Sequence, residues 1–76
     1  MSLVCSGKKI RELNGLEKFL NLETIDLSNN KIENIDVLEN LKNTKALNLS
    51  NNLIKTIPVK LKNLKLIELN LSTNKL

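Results

Sequence analysis

Three stretches of this chain carry the same residue types in phase, 22 residues apart, and that repetition restricts the fold more than any other feature. Leu22-Glu-Thr-Ile25-Asp-Leu27-Ser-Asn-Asn30-Lys-Ile32 returns as Thr44-Lys-Ala-Leu47-Asn-Leu49-Ser-Asn-Asn52-Leu-Ile54, and again as Leu66-Ile-Glu-Leu69-Asn-Leu71-Ser-Thr-Asn74-Lys-Leu76. A fixed period implies one supersecondary unit stacked on copies of itself. A single unit cannot bury its apolar face alone, so neighbouring coils must share one interior.

Each Leu-x-Leu reads as a short strand. Alternation sends Ile25, Leu47 and Leu69 inward, with Leu27, Leu49 and Leu71 beside them. All units run in the same direction, so the strands pair in parallel. Between strands, apolar residues recur every third position: Ile10, Leu13, Leu16, Phe19 and Leu22, then Ile32, Ile35, Leu38 and Leu41. That spacing suits 3₁₀ turns, in which side chains three apart line up. The third return segment breaks phase. Lys60 and Asn63 fall on inward positions, Leu61 and Leu64 follow one residue later, and Pro58 removes a donor. A differently shaped loop at 58–65 is therefore expected, since buried unpaired lysines are too costly.

Asn30, Asn52 and Asn74 follow the strands, where the chain turns away from the sheet. A buried amide there bonds to backbone groups of its own and the neighbouring turn. Working back by 22 finds a degenerate first unit. Leu3 and Cys5 match Ile25 and Leu27, Ile10 matches Ile32, and Lys8 replaces the asparagine, which puts a normal first turn in question.

The pattern Leu-x-x-Leu-x-Leu-x-x-Asn-x-Ile/Leu resembles the leucine-rich repeat family. Its 22-residue period is similar to the subclass found in regulatory subunits of protein phosphatase 1. The resemblance implies an α/β solenoid, with short parallel β-strands on a concave face and 3₁₀ turns or loops on a convex face. Residues 1–76 form one such domain of about three and a half repeats, with a degenerate N-terminal repeat and no cover over Leu69, Leu71 and Leu76.

At 76 residues the chain buries only about 60% of its unfolded surface. The net charge of +4 is unevenly spread. Residues 1–43 hold six basic and seven acidic side chains (−1), whereas 44–76 hold six lysines and only Glu68 (+5). Cys5 has no second cysteine to pair with, which favours a reducing compartment and an intracellular place, cytoplasmic or nuclear. No apolar run approaches 18 residues, and Met1–Cys5 lacks the layout of a signal peptide.

The composition does not point to a reaction. There is no histidine, so no histidine-based triad or histidine metal site. Cys5 occupies an inward position and reads as a small hydrophobe. Gly7 and Gly15 form no phosphate loop. Asn48-Leu-Ser50 and Asn70-Leu-Ser72 spell glycosylation acceptors but fall within the strands, as by-products of the repeat. No enzyme activity and no cofactor are expected.

The outward strand columns are Ser2, Thr24, Ala46, Glu68; then Val4, Asp26, Asn48, Asn70; then Ser6, Ser28, Ser50, Ser72. They are small, polar and slightly acidic. Nucleic-acid binding wants a basic groove with aromatics for stacking, which this face lacks. A protein or peptide with basic or hydrogen-bonding groups fits better. Thr24, Asp26, Ser28, Asn48, Ser50, Glu68 and Asn70 are the expected contacts, and the resemblance points to a phosphatase among intracellular regulatory partners. Nucleic acid and membrane are not expected partners. The other reading is a structural building block, a truncated or engineered array that associates with itself through its uncovered C-terminal end. A third, anion binding by the lysines at 55–65, would show as steep salt dependence.

Overall fold

The computed structural model describes all of Met1–Leu76. Four three-residue strands, β1 (Ser2–Val4), β2 (Thr24–Asp26), β3 (Ala46–Asn48) and β4 (Glu68–Asn70), form one sheet in chain order. Every pairing is parallel, with Leu3 opposite Ile25, Ile25 opposite Leu47, and Leu47 opposite Leu69. The offset is one repeat at each step. The inward aliphatic residues therefore line up as a single column, as the sequence period demands.

Each of the first three strands is continued by further backbone bonds to the next repeat. Cys5 N–H donates to Asp26 O (2.9 Å), Leu27 N–H to Asn48 O (2.9 Å) and Leu49 N–H to Asn70 O (2.8 Å). The chain then turns through a left-handed residue at Gly7, Asn29, Asn51 and Thr73, with φ of 67°, 58°, 57° and 57°. Glycine and asparagine are the residues that tolerate this region. Thr73 is β-branched and fits it poorly.

The return segments contain 3₁₀ helices at Leu16–Lys18, Asp36–Asn40 and Val59–Asn63, and no segment is α-helical. None is long and apolar enough to cross a membrane. The third starts one residue later than a strict repeat of the second would place it. Pro58 precedes it, Leu61 and Leu64 fill the core, and Lys60 and Lys62 point to solvent. Leu64 then leaves in an extended conformation (φ −73°, ψ 142°), where Leu41 has ψ of 75°. That change of ψ recovers the frame before β4.

One core of 13 buried aliphatic side chains fills the space between sheet and return segments. Phe19 is not part of it. It stands on the inward phase but is 52% exposed, whereas its equivalent Leu41 is 1% exposed. Leu41 has a coil on each side, and Phe19 has one only on the side of the second repeat. Cys5 and Ile10 are half-buried for the same reason. At the other end Leu69 is 45% exposed, against 2% for Leu47.

The asparagine amides bind the coils together, and they reach backwards. Asn30 Oδ1 accepts from Lys8 N–H (3.0 Å) and Ile10 N–H (2.9 Å), and its Nδ2 donates to Cys5 O and Leu27 O, both at 2.9 Å. Asn52 accepts from Ile32 N–H (3.0 Å) and donates to Leu27 O (3.0 Å) and Leu49 O (3.1 Å). Asn74 repeats the set on Ile54, Leu49 and Leu71. Each amide therefore closes its own turn and holds the preceding one. The first turn has Lys8 where the later turns have asparagine, and it forms with Gly7 in the usual left-handed place. It also carries a second positive φ, 58° at Lys9.

Two outcomes test this account. Thr73→Asn relieves the left-handed β-branched residue at a gain of about 1 kcal/mol, and should raise Tm by about 4–8 °C. A lower Tm would remove the strain argument. Asn52→Ala strands the buried Ile32 N–H and takes one of two donors each from Leu27 O and Leu49 O, and should cost about 2–3 kcal/mol in denaturant unfolding. Asn74→Ala, at a half-buried site, should cost visibly less. Asn52→Asp keeps the acceptor but faces two carbonyls with a carboxylate oxygen, so it should rescue nothing. Equal losses at 52 and 74, or rescue by aspartate, would contradict the backward ladder.

Candidate functional site

The open face of the sheet is made by residues on either side of each inward aliphatic. Pairing puts Thr24, Ala46 and Glu68 in one column and Asp26, Asn48 and Asn70 in the next. Together with the inward column they line a shallow depression of about 330 Å³. Thr24, Glu68 and Asn70 are exposed, and Asp26 and Asn48 are half-buried.

The Asp26, Asn48 and Asn70 side chains are held in one shared geometry. Asp26 Oδ1 accepts from Ser28 N–H (3.0 Å) and from the Ser28 hydroxyl (2.7 Å). Asn48 Oδ1 does the same with Ser50 at 3.1 and 2.8 Å, and Asn70 with Ser72 at 3.0 and 2.8 Å. These are Asx turns, in which a short side chain caps the backbone two residues on. One atom of each group is thereby fixed, and the other has no partner: Asp26 Oδ2, Asn48 Nδ2 and Asn70 Nδ2. The face thus presents a charged acceptor followed by two amide donors. Rotamer freedom has already been lost, so a ligand would not have to remove it.

The serines play a different part. Ser28 is only 6% exposed, and its hydroxyl also meets Ser6 Oγ at 3.2 Å. Ser28 and Ser50 hold the adjacent column in place. Sequence alternation put them on the outward phase but gave no sign that their hydroxyls turn back onto Asp26 and Asn48. The signal was the two-residue spacing Asp-x-Ser and Asn-x-Ser, repeated in three units.

The Ser28 hydroxyl, followed by its backbone N–H, stabilises the Asp26 carboxylate and lowers its pKa below the ordinary 3.8, against a smaller opposing effect of burial. Such a carboxylate adds stability that is present above the unfolded pKa and is lost as pH falls through the folded one. Nothing else on this face resembles a reactive centre. No group of three His, Cys, Asp or Glu side chains stands where it could hold a metal ion.

Lysines lie away from the strands. None is paired with an acid, for the only ion pair joins the N-terminal ammonium to Glu23 at 3.7 Å. Some line a groove where the strands begin; others flank the turns where they end.

Ser28→Ala should bring the Asp26 pKa back up toward 3.8 in a carboxylate NMR titration, and should cost about 1 kcal/mol near pH 6. The loss should shrink on acidification, because the contact is weak once Asp26 is protonated. A loss of stability independent of pH would show that the hydroxyl does not act through the carboxylate.

Comparison with known proteins bears on this geometry. The family described as leucine rich repeat matches residues 21–76. No curated protein matches the chain. The matched span begins just before β2 and so leaves out the first coil, which is the one that lacks the asparagine.

Proposed function

Since this chain belongs to the leucine-rich repeat family, whose members generally mediate protein–protein interaction and are typically non-catalytic, we propose that it is a non-catalytic interaction module receiving its partner on the open strand face. Residues 1–76 act together as one unit. The observation that carries this reading is the column Asp26–Asn48–Asn70, in which three side chains are locked by their own serines and leave one polar atom each free. The contact set is Thr24, Asp26, Asn48, Glu68 and Asn70, with Ser28 and Ser50 as the groups that position it. The free atoms suit a cationic group beside Asp26 and backbone carbonyls beside Asn48 and Asn70. The face holds no Trp, Tyr or Arg, the residues that dominate tight interfaces, so binding is of modest affinity. A partner among intracellular regulatory proteins, a phosphatase included, is supported by the 22-residue period, and the intracellular place by the lone Cys5.

A second reading is favoured by one observation. Leu61, Leu64, Leu66 and Leu69 bound an apolar depression of about 500 Å³ at the β4 end of the sheet. A second copy of the chain covering it would give self-association. Sedimentation over a hundredfold concentration range reads this directly, and a constant monomer mass would remove it.

The test of the first reading uses Asp26→Asn with Glu68→Gln. Asparagine at 26 keeps the serine contacts, as Asn48 and Asn70 demonstrate, and lysine there would not. Peptides selected from a displayed library against the chain should be rich in Lys or Arg. Their affinity for the double variant should fall about tenfold, equivalent to about 1.4 kcal/mol, with the thermal midpoint unchanged. Selected peptides that bind both forms equally would place the site elsewhere.

A further inference from the structure

A depression of about 900 Å³ is separate from the strand face. It runs along the edge where the strands begin. Lys42, Lys45 and Lys65 line it together with Asn21, Asn43 and Asn63. Lys45 immediately precedes β3, while Asn21, Asn43 and Lys65 each stand three residues before a strand. The groove is thus a product of coil stacking: Lys42 and Lys45 come from one coil and Lys65 from the next. We infer that this groove is a docking site for an acidic peptide segment, independent of whatever occupies the strand face.

Three observations support it. First, its charge is uncompensated. All three lysines are exposed, and none has an acidic partner. The one carboxylate in the lining, Glu23, is already engaged by the N-terminal ammonium at 3.7 Å. Second, the groove offers backbone-type hydrogen bonding as well as charge. Asn43 Nδ2 is tied to Leu20 O at 2.8 Å, which fixes the amide and leaves its Oδ1 free to accept from a peptide N–H. Asn21 and Asn63 have both ends of their amides free. Third, the lining contains no aromatic side chain. Single-stranded nucleic acid draws much of its affinity from base stacking on aromatics. Proteins that hold nucleic acid by charge alone at physiological salt neutralise about six to ten phosphates, not three. Lysine is a compact point charge on a flexible stem, suited to carboxylates at varied positions along an extended chain.

The experiment is a fluorescence anisotropy titration at low salt with a labelled ten-residue peptide bearing six Asp or Glu. A neutral peptide and a single-stranded RNA of equal charge serve as comparison ligands. Lys45→Glu with Lys65→Glu removes the groove's charge. Lys18→Glu with Lys31→Glu makes the same change in net charge outside it. The inference expects the acidic peptide to bind, the first variant to lose at least tenfold, and the second to lose less than about threefold. It also expects Asp26→Asn with Glu68→Gln not to weaken the peptide, which separates this site from the strand face. Both lysine pairs are exposed, so circular dichroism should show unchanged folding. Equal loss in both lysine variants would overturn the inference, because only the overall field would then be at work. Tighter binding of the RNA, or no binding of the acidic peptide, would overturn it as well.

Discussion

A carboxamide has one acceptor oxygen and two N–H donors, and in this fold it both closes its own turn and joins consecutive coils. Asn30, Asn52 and Asn74 each cap the turn that follows their own strand and hold the backbone of the coil before it. The inward residues of one repeat are too few to make a core. They become one only when the next coil is held at a fixed offset, and the amides set that offset. No buried side-chain polar atom in the molecule is left without a partner. The bonding points backward, from each asparagine to the coil before it.

The same offset builds the strand face. Parallel pairing puts Asp26, Asn48 and Asn70 in one column, and the Asx turns give their side chains a common geometry. Aspartate and asparagine differ little in shape, so the charge at any position in the column can change without disturbing the backbone. A repeat architecture of this kind separates the scaffold from the recognition chemistry. The inward leucines and turn asparagines are constrained by packing, and the outward column is not. Family membership accordingly speaks to the general mode of action and leaves the chemistry of the partner to that column.

Electrostatically the molecule is divided. The sheet carries acidic Asp26 and Glu68 among neutral polar groups, and the lysines stand along its edges and on the return segments. The C-terminal excess of positive charge therefore belongs to the coil edges. A partner with both basic and acidic segments would find complementary surfaces side by side, the first on the strands and the second in the groove before them.

The 22-residue period by itself determined the four strands, their parallel register, the inward column from Leu3 to Leu69, and the bonding role of the turn asparagines. Each depends only on which residues recur in phase, and phase is a property of the chain. It also showed that Lys60 and Asn63 could not both stay inward, because buried charge is prohibitive. What it could not show depends on neighbours out of phase or on coils at the ends. Phe19 is exposed because only one coil packs against it. Ser28 is buried, and its hydroxyl folds back on Asp26 and meets Ser6. Pro58 delays a 3₁₀ helix by one residue, and Leu64 recovers the frame by a change in ψ. The groove joins Lys42 and Lys45 of one coil to Lys65 of the next, and its form depends on how the coil edges stack. Those features were decided by the tertiary structure, since burial and close approach depend on how the coils lie against one another, which phase alone does not specify.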